Sequence, residues 1–245
     1  MALQSQSLSI QSGSERLAGH LHAGAVGQPG VLFVHGWDSD QAHYQDLSKN
    51  IAALGCTCLT FDLRGHGASD RSQGGVSRAD NLADVLAAYD ALCAHPVVDD
   101  APVAVVGTSY GGYLAALATH LRPVRWLALR VPALYPDAQW NVPKNALDRE
   151  MLQSYRQELR PVTGNRCLAA CQAFQGDVLV VESEHDAVLP HPSIQSFVDA
   201  FTQARSIAHH CISGADHALS APACQQVYAT LLVAWFKRHV STPDA

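Results

Sequence analysis

Three residues of this 245-residue chain have the types and the order of an acyl-transfer site: Ser109, Asp186 and His217. A serine hydroxyl is a weak nucleophile until a base takes its proton, and a histidine serves as that base when a carboxylate holds its ring in place. Ser109 sits in "GTSYGG" (107–112). In a sharp turn the residues two before and two after the serine crowd each other, so Gly107 and Gly111 lack side chains for a steric reason, and Gly112 extends that freedom. Such a turn lifts the hydroxyl clear and leaves the Tyr110 N–H at the start of the following helix, aimed where an oxyanion would develop. A second donor is offered by "VLFVHGWDSD" (31–40), where the Trp37 N–H follows a strand end. His35 in the same stretch reads as a residue that holds the loop by hydrogen bonding.

Each candidate has competitors. The chain has thirteen histidines, and His217 stands out by its place in "HHCISGADHALS" (209–220), a turn between the last strand and the last helix. His185 is the second choice, but it adjoins Asp186 and cannot easily receive an orienting bond from it. Glu182 and Glu184 compete with Asp186 in "VLVVESEHDAVLP" (178–190), yet they belong to the strand end, before the loop turns out. Asp216 is next to His217, and adjacent side chains usually diverge. The pairing of Asp186 with His217 is therefore the favoured one.

A Gly-x-Ser-x-Gly match is weak by itself and depends on the elements around it. Here "APVAVVG" (101–107) reads as a strand and "YLAALATHL" (113–121) as a helix, so Ser109 stands at a strand–turn–helix apex. Further apolar runs at 31–35, 56–62, 124–131, 177–184 and 206–213 predict strands, and "LSIQ" and "RLAGHLH" predict a leading antiparallel pair. Helical patterns fall at 41–54, 78–95, 109–121, 144–160, 165–174, 191–204 and 221–239. The middle strands are apolar on both faces, as parallel strands covered by helices must be. The alternation predicts a single-domain, mostly parallel eight-stranded sheet over 1–245, with all the candidate residues at the C-terminal ends of strands.

The interval 132–176 is longer than the dozen or more residues a crossover needs, and its surplus, 134–163, predicts a short helical cap. There Leu147, Met151, Tyr155 and Leu159 form an apolar stripe, and Tyr135 and Trp140 are candidate substrate-binding residues. The segment's charges, Lys144, Asp148, Arg149, Glu150, Arg156, Glu158 and Arg160, are mixed in sign, so no ionic substrate is expected.

Composition excludes several other classes. Hydrophobic residues make up 48% and charged residues 16% of the chain, which suits a globular core and not a disordered segment. A net charge of −6 gives no basic footprint for nucleic acid. No run of 18 apolar residues predicts a membrane span, and "MALQSQSLSIQSG" has no signal-peptide pattern. The seven cysteines lack CxxC or zinc-like spacing, which predicts reduced structural thiols in a cytoplasmic protein, with no metal and no organic cofactor.

Taken together, "HGW", "FDLRGHGAS" (61–69), "GTSYGG", "SEHDAVLP" and "GADHALS" resemble the α/β-hydrolase superfamily over about residues 28–240. The similarity is greatest to small bacterial serine esterase and peptidase-like members, feruloyl-esterase-like hydrolases with a short cap after the sixth strand among them. The resemblance implies an α/β-hydrolase fold, Ser109 as nucleophile, His217 as base, Asp186 as orienting acid, and oxyanion donors from the Trp37 and Tyr110 N–H groups. It also implies that Arg64, His66 and Gly67 are scaffold, with Asp62 bracing their turn. The expected activity is hydrolysis of a small-molecule carboxylic ester, short acyl or aryl, through an acyl-enzyme. Amide or peptide cleavage by the same triad is the alternative, and a non-catalytic binding protein is the alternative from another class.

Overall fold

The computed structural model describes residues 4–70 and 72–240. The first three residues of the leading segment read for a signal, and the last five of the 1–245 assignment, lie outside the described residues. Two strands open the chain, β1 (Gln4–Ser12) and β2 (Glu15–Ala23), paired antiparallel from Gln4 opposite Ala23 to Ser12 opposite Glu15. The strands β3 (Gly30–Val34), β4 (Thr57–Phe61), β5 (Val103–Thr108), β6 (Trp126–Arg130), β7 (Asp177–Ser183) and β8 (Ser206–Ile212) follow. They form one sheet in the order β1-β2-β4-β3-β5-β6-β7-β8. Every pairing from β4 to β8 is parallel, and β2 joins β4 antiparallel.

Between the strands run α1 (Gln45–Ala52), α2 (Arg78–Cys93), α3 (Tyr110–Ala118), α4 (Arg149–Arg156), α5 (Arg166–Ala173), α6 (His191–Ala200) and α7 (Pro222–Val240). The strands' alternation sorts them into two layers. Leu32, Val34, Val105, Leu127, Leu129, Val178 and Val180 face a core shared with α2, α3, α5 and α6. Val31, Phe33, Ala104, Val106, Ala128, Leu179 and Val181 face the other core, built with α1 and α7. Each fully buried Val or Leu on these faces contributes roughly 1.5–3 kcal/mol. α3 is apolar all round, and all nine of its residues are buried, because it lies between the sheet and the helices α2 and α5.

The chain leaves β3 towards β4 on one side and returns to β5 on the other, so strand order reverses between β3 and β5. In an open α/β sheet the crevice beyond the strand ends at such a switch point receives ligands. The loop after β3 and the turn after β5 meet there.

The interval 132–176 departs from its expected detail. A helix over 144–160 was predicted with Leu147, Met151, Tyr155 and Leu159 on its buried stripe. The structure has a short 3-10 turn at Lys144–Ala146 and then α4 over Arg149–Arg156 only. Asp148 stops the earlier turn from continuing, since its carboxylate caps the N–H groups of Glu150 and Met151. Leu147 is nonetheless buried, and Met151 and Tyr155 pack half-buried against the core as the stripe predicts, while Leu152 and Arg156 are the buried residues of α4 itself. Leu159, beyond the helix end, is 58% exposed.

Candidate active site

Ser109 follows the last residue of β5 and precedes the first of α3, with φ 53° and ψ −116°. A non-glycine residue held there carries about 1–3 kcal/mol of backbone strain, and the surroundings maintain it. The Ser109 N–H donates to Arg130 O at 2.9 Å, and its carbonyl accepts from Tyr113 N (3.1 Å) and Ala133 N (2.9 Å). The flanking glycines are a steric necessity. A Cβ on Gly107 would stand 2.5 Å from Gly111 O, and one on Gly111 would stand 2.1 Å from Val34 O and 2.4 Å from His35 O. Gly107 thus clears the turn itself, while Gly111 clears the neighbouring strand.

From this apex a hydrogen-bonded chain runs to two later loops. His217 Nε2 lies 3.1 Å from Ser109 Oγ, and His217 Nδ1 lies 2.7 Å from Asp186 Oδ2. An ionised carboxylate can only accept, so the ring carries its proton on Nδ1 and presents Nε2 as an acceptor to the serine hydroxyl. Asp186 is itself fixed, because its Oδ1 accepts from Val188 N and Leu189 N at 2.8 Å each. Its side chain is 3% exposed, against 24% for His217. Asp186 is thus sealed in while the His217 ring remains reachable.

The loop carrying His217 is held from several sides. Arg130, the last residue of β6, donates from Nη1 to His217 O at 2.9 Å, and His185 N donates to Ala215 O at 2.8 Å. Glu184 accepts from Ser213 Oγ (2.7 Å) and Gly214 N (2.6 Å), and these bonds hold its carboxyl below the usual range. Asp216 accepts from Ser220 N at 2.8 Å, and its contacts with Ser220 lower its carboxyl too. Glu182 meets His191 and His209, and the side chain of His185 is 69% exposed. The three competing carboxylates therefore have other partners, and His185 points its ring to solvent, 3.8 Å from Glu184. Sequence reasoning missed Arg130, although a cation ending an otherwise apolar strand was a visible signal that a partner had to exist.

Across the elbow, Gly36 approaches closely, since a Cβ there would lie 3.5 Å from Ser109 Cβ. This brings the peptide between Gly36 and Trp37 alongside the serine. The Tyr110 N–H, first in α3, precedes the intrahelical ladder. His35 stabilises the loop by accepting from Leu63 N at Nε2 (3.0 Å), which leaves Nδ1 to donate to Gly36 O at 2.7 Å. Burial pushes its imidazole down to about 4, so it stays neutral. The turn after β4 is scaffold as well. Asp62 accepts from Gln41 N (2.8 Å) and Ala68 N (3.0 Å), and Arg64 pairs with Asp84 at 2.6 Å. His66 bonds Arg64 O (3.1 Å) and Gln73 Nε2 (3.0 Å). Gly67 has φ 50°, and a Cβ on it would fall 2.4 Å from the Asp62 carboxylate.

Residues 132–165 lie against this same side. Tyr135 is 3% exposed and packs on Tyr110 and Tyr113 at ring distances of 5.9 and 4.9 Å. It is an inner wall of the aromatic stack. Trp140 is half-buried, with the Arg166 guanidinium 4.4 Å from its ring. Lys144 was not singled out as a site residue, yet its Nζ stands 4.0 Å from the Trp37 ring centroid and 5.0 Å from that of Tyr110. Two surface clefts lined by Tyr89, Pro102 and Val103 and by Arg122, Arg125 and Gly176 lie at the N-terminal strand ends, away from Ser109. The hydrogen-bonded chain from Ser109 to Asp186, and not cleft size, marks the site. Among the described residues no three His, Cys, Asp or Glu side chains are grouped to hold a metal ion, and no helix is long and apolar enough to cross a membrane.

The sequence profile of the family described as serine aminopeptidase, S33, matches residues 28–163, a span that includes the Trp37 loop, the Ser109 elbow and Lys144. The uncharacterized protein Rv2307c of Mycobacterium tuberculosis is 32% identical over 111 residues, 45% of this chain and 38% of that protein. The mitochondrial palmitoyl-protein thioesterase ABHD10 of Homo sapiens is 33% identical over 107 residues, 41% of this chain and 32% of that one. The matches thus span about a third of these relatives' length. Among solved structures, Est1E from Butyrivibrio proteoclasticus with ferulic acid bound superposes with a TM-score of 0.71 at 18% identity, over 95% of this chain and 97% of that one. At that identity the likeness is one of fold, and the fold is the α/β-hydrolase fold that the sequence motifs implied.

Proposed function

Because the chain belongs to the serine aminopeptidase S33 family, within the α/β-hydrolase superfamily, we propose that it is a serine hydrolase of short acyl or aryl carboxylic esters. The observation that carries this reading is the chain of 3.1 and 2.7 Å contacts from Ser109 Oγ through His217 to Asp186. In the first step Ser109 Oγ bonds to the acyl carbon while its proton passes to His217 Nε2. The tetrahedral oxyanion is received by the Trp37 and Tyr110 N–H groups, and Asp186 stabilises the imidazolium. Collapse of that intermediate expels the alcohol, which takes the proton from His217. A water molecule then attacks the acyl-enzyme with His217 as base, releasing the acid and restoring Ser109. No step calls on a metal or an organic cofactor.

The family's description favours a second reading, amide or peptide cleavage, since the same triad serves both bonds. An aminopeptidase must hold the substrate's α-ammonium, which calls for carboxylates beside the scissile bond. The side chains stacked over the Trp37 and Tyr110 rings are instead led by the cation of Lys144, which favours esters. Thioester cleavage of the kind named for ABHD10 uses the same chemistry, but a long acyl chain needs a wide apolar channel, and residues 132–165 crowd that side. A cytoplasmic setting is supported by seven free cysteines. Burial raises the thiols of Cys56, to about 12, and Cys58, in keeping with a structural role.

A fluorophosphonate probe tests the reading directly. Wild-type protein should label, and Ser109→Ala should lose both labelling and ester turnover by several orders of magnitude while remaining folded. A panel of p-nitrophenyl esters of graded length beside aminoacyl amides separates esterase from amidase. A folded wild-type protein that neither labels nor turns over any of them would be a binding protein on a hydrolase fold.

A further inference from the structure

The charges of the 134–163 segment, mixed along the sequence, are sorted in space. Asp148, Arg149, Glu150 and Glu158 are exposed, and the half-buried Asp137 and Arg160 are paired with Arg166 and Glu158. Lys144 is half-buried and Arg156 is buried, with no carboxylate partner among the described ion pairs. Lys144 Nζ is 5.9 Å from the Tyr135 ring centroid in addition to its closer approach to Trp37 and Tyr110. Arg156 lies 4.7 Å from that same Tyr135 ring, and Arg78, at the start of α2, lies 5.4 Å from it. Three cations therefore surround one tyrosine beside the proposed oxyanion donors.

Two of the three are already committed. Arg78 donates to Pro136 O and Ala138 O, and Arg156 Nε donates to Leu134 O at 3.0 Å. These carbonyls fix the guanidinium groups without neutralising them, and neither arginine has a carboxylate partner among the described ion pairs. Lys144 is different. Its backbone is pinned by the bond from its N–H to Val76 O at 2.8 Å, but among the described residues its Nζ has no hydrogen bond and no ion pair. The carboxylate that acts on it, Asp38, is exposed and accepts from Gln73 Nε2 at 3.1 Å. Burial first, and then Arg156, push the Lys144 ammonium down to about 7. An ammonium held by ring faces, with three donors unspent, is costly to keep and is relieved by an incoming anion.

We propose that this site takes esters whose acyl chain ends in a carboxylate, and that Lys144 is the residue that binds that carboxylate, with Arg78 and Arg156 supplying the surrounding positive field. The inference rests on the reading of Ser109 as nucleophile and adds to it the class of acid released. The carboxylate lies a few bonds from the scissile carbonyl, because Lys144 covers the two residues whose N–H groups receive the carbonyl oxygen. Short dicarboxylic monoesters have this spacing.

The test compares p-nitrophenyl hydrogen glutarate with p-nitrophenyl valerate, nearly equal in shape and different in charge. Wild-type protein should prefer the anionic ester in kcat/KM by about tenfold to a hundredfold, the scale of a hydrogen bond to a charged group. Lys144→Met should remove most of that ratio, Lys144→Arg should retain it, and added salt should reduce it in the wild type. A residue that merely packs the segment would lower both esters alike on substitution. A wild-type ratio near one, or equal losses on both esters in Lys144→Met, overturns the proposal while the labelling of Ser109 leaves the hydrolase reading intact. Glutarate titrated calorimetrically gives an answer without turnover. Its binding should weaken about tenfold in Lys144→Met, and unchanged or absent binding counts against Lys144 even if no ester is cleaved.

Discussion

Exchanging Asp186 for asparagine keeps the shape of the side chain and changes which atom can accept. In the native protein Oδ1 receives the N–H groups of Val188 and Leu189 at 2.8 Å each, and Oδ2 receives His217 Nδ1 at 2.7 Å. Two backbone donors require an oxygen at the Oδ1 position, so the amide NH2 of the asparagine must take the Oδ2 position. It then faces Nδ1, and two donors cannot bond each other. The imidazole responds by moving its proton to Nε2, which lets Nδ1 accept. Nε2–H now points at Ser109 Oγ, 3.1 Å away, and the base can no longer take the hydroxyl's proton. A tautomer trapped in this way costs about 10⁴ in turnover, or about 5 kcal/mol of transition-state stabilisation. Folding should change little, because both Oδ1 bonds and the packing survive. The assay is steady-state cleavage of a p-nitrophenyl ester together with the rate of fluorophosphonate labelling and a thermal melt. Turnover within tenfold of wild type, or an equal collapse in Asp216→Asn, would refute the reasoning and make Asp186 a loop cap only.

Gly111→Ala would set a Cβ 2.1 Å from Val34 O and 2.4 Å from His35 O, so α3 must move from β3 by about an ångström. The expected outcome is a loss of about 1–3 kcal/mol in a urea melt and about a hundredfold in kcat/KM; an unchanged melt would show that the strand yields. His35 has its ring pushed by burial from 6.5 to about 4, so between those values the unfolded chain binds a proton that the folded one refuses. Stability contributed by its neutral form is therefore lost as pH falls through that window, by up to about 3 kcal/mol, and His35→Asn should flatten the slope of urea stability between pH 7 and 5 if this residue is its source. Lys144 is faced by Arg156, Arg78, Arg149, Asp38 and His66. The ratio of anionic to neutral ester turnover, in which effects common to both esters cancel, should fall as pH rises through about 7, and a ratio flat from pH 6 to 9 would exclude Lys144 as its source.

The parts of the site that were legible in the sequence are those set by local constraint. The elbow could be read because Gly107 must clear Gly111 O four residues on, and strand ends could be read because apolar runs stop where loops turn out. Gly111 was legible only as a glycine. Its need for one comes from Val34 at the end of β3 and His35 just after it, a contact made by tertiary packing and not by the turn. The same limit explains Arg130 and the segment cations. Arg130 ends β6 pointing at the carbonyl of His217, and nothing nearer in the chain announces that partner. Leu147, Met151 and Tyr155 pack inward as a helical stripe predicts. But α4 starts after Asp148 and stops at Arg156, so Leu159 falls outside it, and Leu152 and Arg156 are buried beside the stripe. A hydropathy pattern does not place an arginine inward. The Tyr135 ring and the Leu134 carbonyl do, and both enter from outside that helix. Charge balance along a segment is therefore a poor guide to the field at a site, because partners outside the helix decide which side chain turns in.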